Sequence, residues 1–414
     1  MIAFPDICLI TPGHLASTPR VIKHADALIA AGYRVHVVSG RHFQPAEPLD
    51  AAIVAQAQWA STRVHLHRNP QRLLRGLGRK LARRRIIAGA SIWPLAARAQ
   101  HAGHAALVQA AARTRATFFY GHGGVAGLAA AAAAAKLNGQ RFGFDAEDWH
   151  EEEADFSRDA AQLAAIRILL RSLLSEAALL TCAAPLIAAA YAATYQVRLT
   201  CILNVFPLAD ALATPVTPPP PSNDHPAIFY WFSQTIGPER GLEEAVALLQ
   251  RLHTPTVLHL RGFAAPGFVE HLRDRAAGLR DRIVILPPAP ASEMVRLAAS
   301  AHLGLALEQR IPRNRDLCLT NKIFTYLLAG VPQLLSRTSA QASFANQLSS
   351  AALLASPEGL AASAGEIDAL LNDPTQMSAA RAASWNIGRE RFCWDHEKEI
   401  LLELVAKILA LRPQ

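Results

Sequence analysis

The chain has little sulfur chemistry. Its five cysteines, Cys8, Cys182, Cys201, Cys318 and Cys393, are odd in number, scattered and without a C-x-x-C pair. That pattern argues against a thiolate zinc site or a disulfide framework and fits reduced thiols in a cytoplasm. The sixteen histidines show no H-E-x-x-H or related spacing, so no metal is expected. No apolar run reaches the roughly 20 residues that span a bilayer. The opening MIAFPDICLITPG has neither a basic n-region nor a cleavage site, so Ile7 to Ile10 reads as a first strand rather than a signal peptide. The positive charge comes without a recognised nucleic-acid module or interleaved aromatics, so nucleic acid is not an expected partner.

What is present is size and alternation. The 414 residues, 51% of them apolar, are too many for one core and suit two domains of roughly 200 residues each. Short apolar runs alternate with helical segments, which predicts parallel sheets covered by helices on both faces. Strands are expected at Asp6 to Thr11, Val35 to Ser39, Val64 to His67, Thr117 to Tyr120, Arg141 to Asp145, Leu179 to Cys182 and Leu199 to Leu203. Thr18, Pro19 and Gly32 mark the ends of a helix over Pro19 to Ala31, and the run Ala129 to Ala135 reads as a packing helix. The stretch LADALATPVTPPPPSNDHP, Leu208 to Pro226, reads as a stiff proline-rich linker. After it come strands Ala227 to Ser233, Thr256 to Arg261, Arg282 to Leu286, His302 to Leu307 and Gln333 to Ser336, with helices between them. The expected domains are 1–207, a linker over 208–226, a second domain over 227–390 and a last helical segment over 391–414.

The net charge of +8 is unevenly spread. Arg68, Arg72, Arg75, Arg79, Lys80, Arg83, Arg84 and Arg85 crowd a segment in which Leu73, Leu74, Leu77 and Leu81 mark a helical face. A basic amphipathic helix of this kind can lie on anionic lipid or hold an anionic acceptor. A solvated face is the plainer alternative.

Four segments carry the chemistry. LTNKIFTYLLAGVPQLLS, Leu319 to Ser336, reads as a helix capped by Thr320, opened by Asn321 and Lys322 and stopped by Gly330, then a strand. Beside the ends of parallel strands, such a helix start points free N–H groups and a partial positive charge at a ligand, and Lys322 adds a full charge. FSQTIGPERG, Phe232 to Gly241, is a strand end with Gly237 in its loop and Arg240 placed in the first turn of the next helix. FGFDAEDWHEEE ends a strand at Asp145 and follows it with Glu147, Asp148 and His150, groups that can hold sugar hydroxyls. YGHGG, Tyr120 to Gly124, places His122 in a glycine-rich turn, and TPGHLASTPR places Gly13 and Arg20 around the first helix start.

NK-I-F-x-Y-L-x-A-G-x-P resembles the donor-site helix of the retaining nucleotide-sugar glycosyltransferases of family 4, which have the GT-B fold. Arg240-Gly241 resembles the K-G of that family's G-R-x4-K-G loop, with Gln234 or Thr235 in place of the first arginine. Asp145 to His150 resembles its D-x-H-[DE] strand end, with Glu147 at the histidine position. The first loop resembles an S-x-P-R-V variant, which makes Gly13 and Arg20 candidate phosphate or acceptor contacts. Glu308 can stand for the first glutamate of the family's E-x7-E pair, while Thr325 occupies the place of the second.

The resemblance implies α/β architecture with two doubly wound, Rossmann-like domains facing across a cleft. It implies a nucleoside diphosphate sugar as co-substrate, no metal or other cofactor, and a glycan, lipid-linked or small-molecule acceptor. Arg240 and Lys322 would hold the diphosphate, Glu308 and Thr325 would lie near the ribose or sugar, and Asn321 and Gly237 would belong to the same donor site. Asp148, His150, Glu147 and His122 would lie nearest the reacting sugar. Apart from the resemblance, the cysteine pattern points to a cytoplasmic protein and the basic segment Arg68 to Arg85 to peripheral contact at the inner membrane face. A sugar-nucleotide epimerase of the same fold and a non-catalytic scaffold are the alternatives.

Overall fold

The computed structural model describes residues 6–65, 72–153 and 159–410, with the side chains of 72–74 left aside. The chain forms two compact units, Met1–Ile202 with Lys398–Gln414, and Leu203–Glu397.

The first unit holds a seven-stranded parallel sheet in the order β3-β2-β1-β4-β5-β6-β7. Its strands are β1 (Ile7–Thr11), β2 (Val35–Arg41), β3 (Ala60–His65), β4 (Phe118–Gly121), β5 (Arg141–Asp145), β6 (Leu179–Cys182) and β7 (Thr200–Cys201). Ile7, Cys8, Leu9 and Ile10 are wholly buried, as a central strand covered on both faces must be. The chain leaves β1 for β2 on one side and returns to pair β4 on the other, so the loops after β1 and β4 diverge at the carboxyl edge. Open α/β sheets bind ligands at such a switch point. Strand β3 begins earlier than its apolar residues suggested, because Ala60 to His65 pair with His36 to Arg41 along the whole length. The expected residues Leu66 and His67 lie outside the described ones. The alanine run sits inside the helix Val125–Asn138, almost entirely buried and closed by Gly139 in the left-handed region.

The second unit holds a six-stranded parallel sheet in the order β10-β9-β8-β11-β12-β13. These strands are β8 (Ala227–Ile236), β9 (Thr256–Ala264), β10 (Ile283–Leu286), β11 (Leu303–Ala306), β12 (Gln333–Leu335) and β13 (Ala352–Leu354). Strands β8 and β9 outrun their expected ends. After an irregularity between Phe232 and Thr235, pairing resumes as Thr235 with Phe263 and Ile236 with Ala264. The switch point lies between β8 and β11. The helix Asn321–Ala329 is buried from Lys322 onward and stops at Gly330, whose φ is +67°. Tyr326 pins it, its hydroxyl donating to the carbonyls of Tyr230 at 2.8 Å and Leu305 at 3.2 Å. Gly304 allows this approach, since a Cβ there would sit 2.4 Å from the Tyr326 ring.

The proline-rich stretch is strapped to the second unit. Arg381 donates from Nε and Nη2 to the Val216 carbonyl at 3.0 and 2.7 Å, His302 Nε2 lies 2.9 Å from the Pro219 carbonyl, and Arg389 donates to Leu212. The last helix, Trp394–Ala410, begins in the second unit and ends in the first. There, Arg141 Nη1 donates to the Ile408 carbonyl at 3.0 Å.

Candidate active site

In the first unit, a polar cluster is built where β1, β4, β5 and β6 end. Asp145, the last residue of β5, is 1% exposed and is the hub. Arg20 donates to both of its oxygens, Nε at 2.5 Å and Nη2 at 3.0 Å, while Nη1 donates to the Ile202 carbonyl at 2.8 Å. Thr181 on β6 donates to Asp145 at 2.7 Å and lies 2.5 Å from the Tyr120 hydroxyl. His122 Nδ1 stands 3.2 Å from Asp145, and the backbone N–H of His122 donates to Ile10 at 2.8 Å. Burial works against ionisation of Asp145, but the charge of Arg20 and the bonds from His122 and Arg20 hold it well below the usual carboxylate range. Burial, then the Arg20 charge, pushes neighbouring His24 well below the usual imidazole range.

This geometry corrects one expectation. Arg20 is 2% exposed and engaged with Asp145, so it is a structural cation and not a phosphate contact. The sequence could have signalled this only as a conserved-charge pairing 125 residues apart, which one sequence does not reveal. Gly13 serves the same loop through its backbone: its N–H meets Thr11 Oγ1 at 3.2 Å and its carbonyl accepts from Gly40 at 3.1 Å. His24, His122 and Asp145 offer three ligand atoms within 4.8 Å of one another. They do not fit a cation, because the guanidinium of Arg20 already occupies both Asp145 oxygens.

Beyond Asp145 the chain turns sharply. Glu147 has φ +58°, a left-handed conformation that costs a residue with a Cβ roughly 1–2 kcal/mol. Its carbonyl accepts from Ala183 at 3.1 Å, which fixes the turn against the β6 end. Burial and the adjacent Asp148 raise the Glu147 carboxyl to about 7. Glu147 and Asp148 are half-buried, whereas His150 is 4% and His122 is 2% exposed. His150 Nδ1 pairs with Glu153 at 2.8 Å. Burial opposes its imidazolium, yet the Glu153 bond and charge, with Asp148 and the Ala146 carbonyl, raise its pKa. A methyl group on Gly124 would touch His150 Cε1 at 3.6 Å, so the β4 and β5 loops meet here. Of the four expected groups, the two acidic residues are therefore half-buried and the two histidines buried.

In the second unit, Gly237 and Arg240 follow β8. The helix after them, Leu242–Leu249, starts later than expected, so Arg240 precedes it by two residues instead of lying in its first turn. The glycine this turn requires is Gly241, not Gly237. Gly241 has φ +72° and a Cβ there would sit 2.9 Å from Leu307, while at Gly237 the nearest atoms are 3.6 Å away. Arg240 makes no hydrogen bond or ion pair among the described residues. Arg315, missed in the sequence, donates to the Glu239 carbonyl and ties the loop after β11 to the loop after β8.

Lys322 Nζ is 3.0 Å from Glu308 Oε1, with the two side chains 7% and 4% exposed. The helix start and the β11 end are thus joined by a buried ion pair, with the Trp231 ring 5.5 Å from the ammonium. Asn321 is half-buried, and its carbonyl accepts from Thr325 Oγ1 at 3.0 Å. Thr325 is wholly buried and bonded to its own helix, which corrects its expected place beside a ribose. Next to this pair, a cavity of about 540 Å³ opens at the ends of β11, β12 and β13, lined among others by Gly241, Glu308, Arg310, Ser336, Arg337 and Ser356. Ligand pockets are commonly about 300–1,000 Å³.

Neither a protein-family model nor a curated protein sequence matches the chain. Solved structures do, in fold. HepE from Anabaena, crystallised with UDP and glucose, superposes with a TM-score of 0.69 at 15% identity over 97% of this chain and 100% of that one. WaaG, a glycosyltransferase involved in lipopolysaccharide biosynthesis, gives 0.61 at 13% identity over 96% and 99%. A Listeria monocytogenes protein assigned as a UDP-N-acetylglucosamine 2-epimerase gives 0.55 at 11% over 97% and 96%. With two parallel α/β units and these neighbours, the chain has the GT-B fold.

Proposed function

We propose that the chain is a retaining glycosyltransferase of the family 4 type, moving a hexose from a uridine diphosphate sugar to a glycan or lipid-linked acceptor without a metal. The observation that carries this reading is the second unit's strand-end crevice. There Arg240, without a bonded partner among the described residues, a helix start bearing Lys322 and a cavity reaching Glu308 and Arg310 lie at a switch point. Likeness to a protein crystallised with UDP and glucose supports the choice of donor.

Departure of the diphosphate is the step such a site must assist. Arg240 would take two oxygens of the leaving group, and the N–H groups of the Asn321–Ala329 helix with Lys322 would stabilise the charge that develops. Glu308, held by Lys322, would accept from donor hydroxyls. In the first unit, Asp148 and Glu147 would orient the acceptor, with His150 and His122 buried in the adjoining loops. Retention needs no enzymatic nucleophile when the acceptor attacks from the leaving-group side, so these carboxylates are orienting groups. The enzyme would work in the cytoplasm.

Thermal melting with UDP, GDP, ADP and their sugars tests the donor site. UDP should raise the melting temperature and uridine should do much less. If no nucleotide moves it, the reading fails and a non-catalytic scaffold takes its place. The epimerase-like neighbour favours one second reading, which incubation with a nucleotide sugar alone would reveal by conversion without acceptor.

A further inference from the structure

The helix Arg72–Ile87 sorts its residues by direction. At about 100° per residue, Arg79, Ala82, Arg83 and Ile86 share one side. Ala82 and Ile86 are 2% and 5% exposed there. Arg79 Nε donates to the Ala99 carbonyl at 3.1 Å, and Arg83 pairs with Asp159. This inner side anchors the helix.

The opposite arc carries Leu77, Lys80, Leu81, Arg84, Arg85 and Ile87, all exposed. Leu77, Leu81 and Ile87 are 70%, 59% and 61% exposed, in a protein whose other leucines are mostly buried. Lys80, Arg84 and Arg85 make no hydrogen bond or ion pair among the described residues. The helix contains no acidic residue, so nothing on it neutralises that arc. A solvated face explains the cations but not three large apolar side chains between them. An anionic soluble ligand would also leave the leucines in water.

We infer that this outer face docks on an anionic lipid bilayer, the helix lying in the interface plane. The leucines would enter the headgroup boundary while the cations meet lipid phosphates. Apolar insertion and charge attraction then both contribute, each basic residue by about fivefold in partitioning. The inference is independent of which sugar is transferred.

Full-length protein should sediment with vesicles of phosphatidylcholine and phosphatidylglycerol in equal parts, and not with phosphatidylcholine alone. Reversing the charges (K80E, R84E and R85E together) should lower partitioning more than a hundredfold. Leu77→Ser with Leu81→Ser should keep binding at low salt and lose it at physiological ionic strength, where wild type stays bound. All variants should melt like wild type and keep its response to UDP, because the arc faces away from the core. Wild type that ignores mixed vesicles at low salt overturns the inference. So does a leucine variant as salt-resistant as wild type, since charge alone would then hold the helix.

Discussion

At the end of β5, Arg20 directs its donors to Asp145 and Ile202 and is buried; at the switch point of the other sheet, Arg240 makes no hydrogen bond or ion pair among the described residues. Both sheets are parallel and doubly wound, and both put charged residues on the loops where strands diverge. In the first unit, those charges are buried in mutual contact beneath a loop that carries two half-buried acidic residues, Glu147 and Asp148. In the second, a buried pair, Lys322 with Glu308, stands beside open cations. A charge at a strand end is therefore no guide to ligand contact until its partners are known: the first unit's Arg20 is buried in an ion pair, and the second unit supplies one cation of either kind, Lys322 and Arg240.

The sharpest way to break this comparison is to remove the buried members. Arg20→Ala would leave Asp145 buried and uncompensated, and Lys322→Ala would do the same to Glu308; each should cost about 3–5 kcal/mol of stability by urea denaturation. Arg240→Ala should stay within about 0.5 kcal/mol in the same measurement. A large loss at Arg240, or none at Arg20, would erase the distinction.

Turnover ranks next. If Glu147 and Asp148 orient the reacting groups, Asp148→Asn should lower kcat by about 10²–10³, equivalent to about 2.7–4 kcal/mol, while UDP binding survives. Near-normal turnover would move the reacting centre away from the β5 loop.

Donor affinity follows. Removing the charged hydrogen bonds of Arg240 should weaken UDP by about 1.5–3 kcal/mol, read as a smaller melting shift at fixed UDP concentration. An unchanged shift would show that Arg310 or Arg337, at the cavity, holds the diphosphate instead.

The smallest effect concerns Glu147. Its carboxyl is raised from 4.5 to about 7, so the folded state resists its ionisation. Below the unfolded value both states are protonated and the effect vanishes. As pH rises from 4.5 through 7, folding stability is lost. Unscreened, that rise would be worth about 3 kcal/mol; partial exposure of the residue reduces it, so Glu147→Gln should match wild type near pH 4 and exceed it at pH 8 on the order of 1–2 kcal/mol. Equal stabilities at both pH values would mean that Glu147 ionises freely.

Alternation of apolar runs and helical segments was enough to identify both sheets, because strands buried on two faces must be continuously apolar and the linking helices must carry a stripe. Gly330 and Gly32 announced helix ends for a local reason, the left-handed backbone that only glycine adopts cheaply. The bounds of the helix Asn321–Ala329 were legible for the same kind of reason, although Thr320 at its start makes no side-chain cap bond. What lay beyond the sequence was partnership. Arg20 and Asp145 are 125 residues apart, and Val216 and Arg381 are 165 apart. Nothing local distinguishes a cation that will be buried against a distant carboxylate from one left in water. Thr325 shows the same limit at short range, since a hydroxyl in a helix can turn to a ligand or to the carbonyl four residues back. Composition and periodicity determined which residues form strands and helices; only the packing of those elements decided which charges meet each other and which remain to meet a ligand.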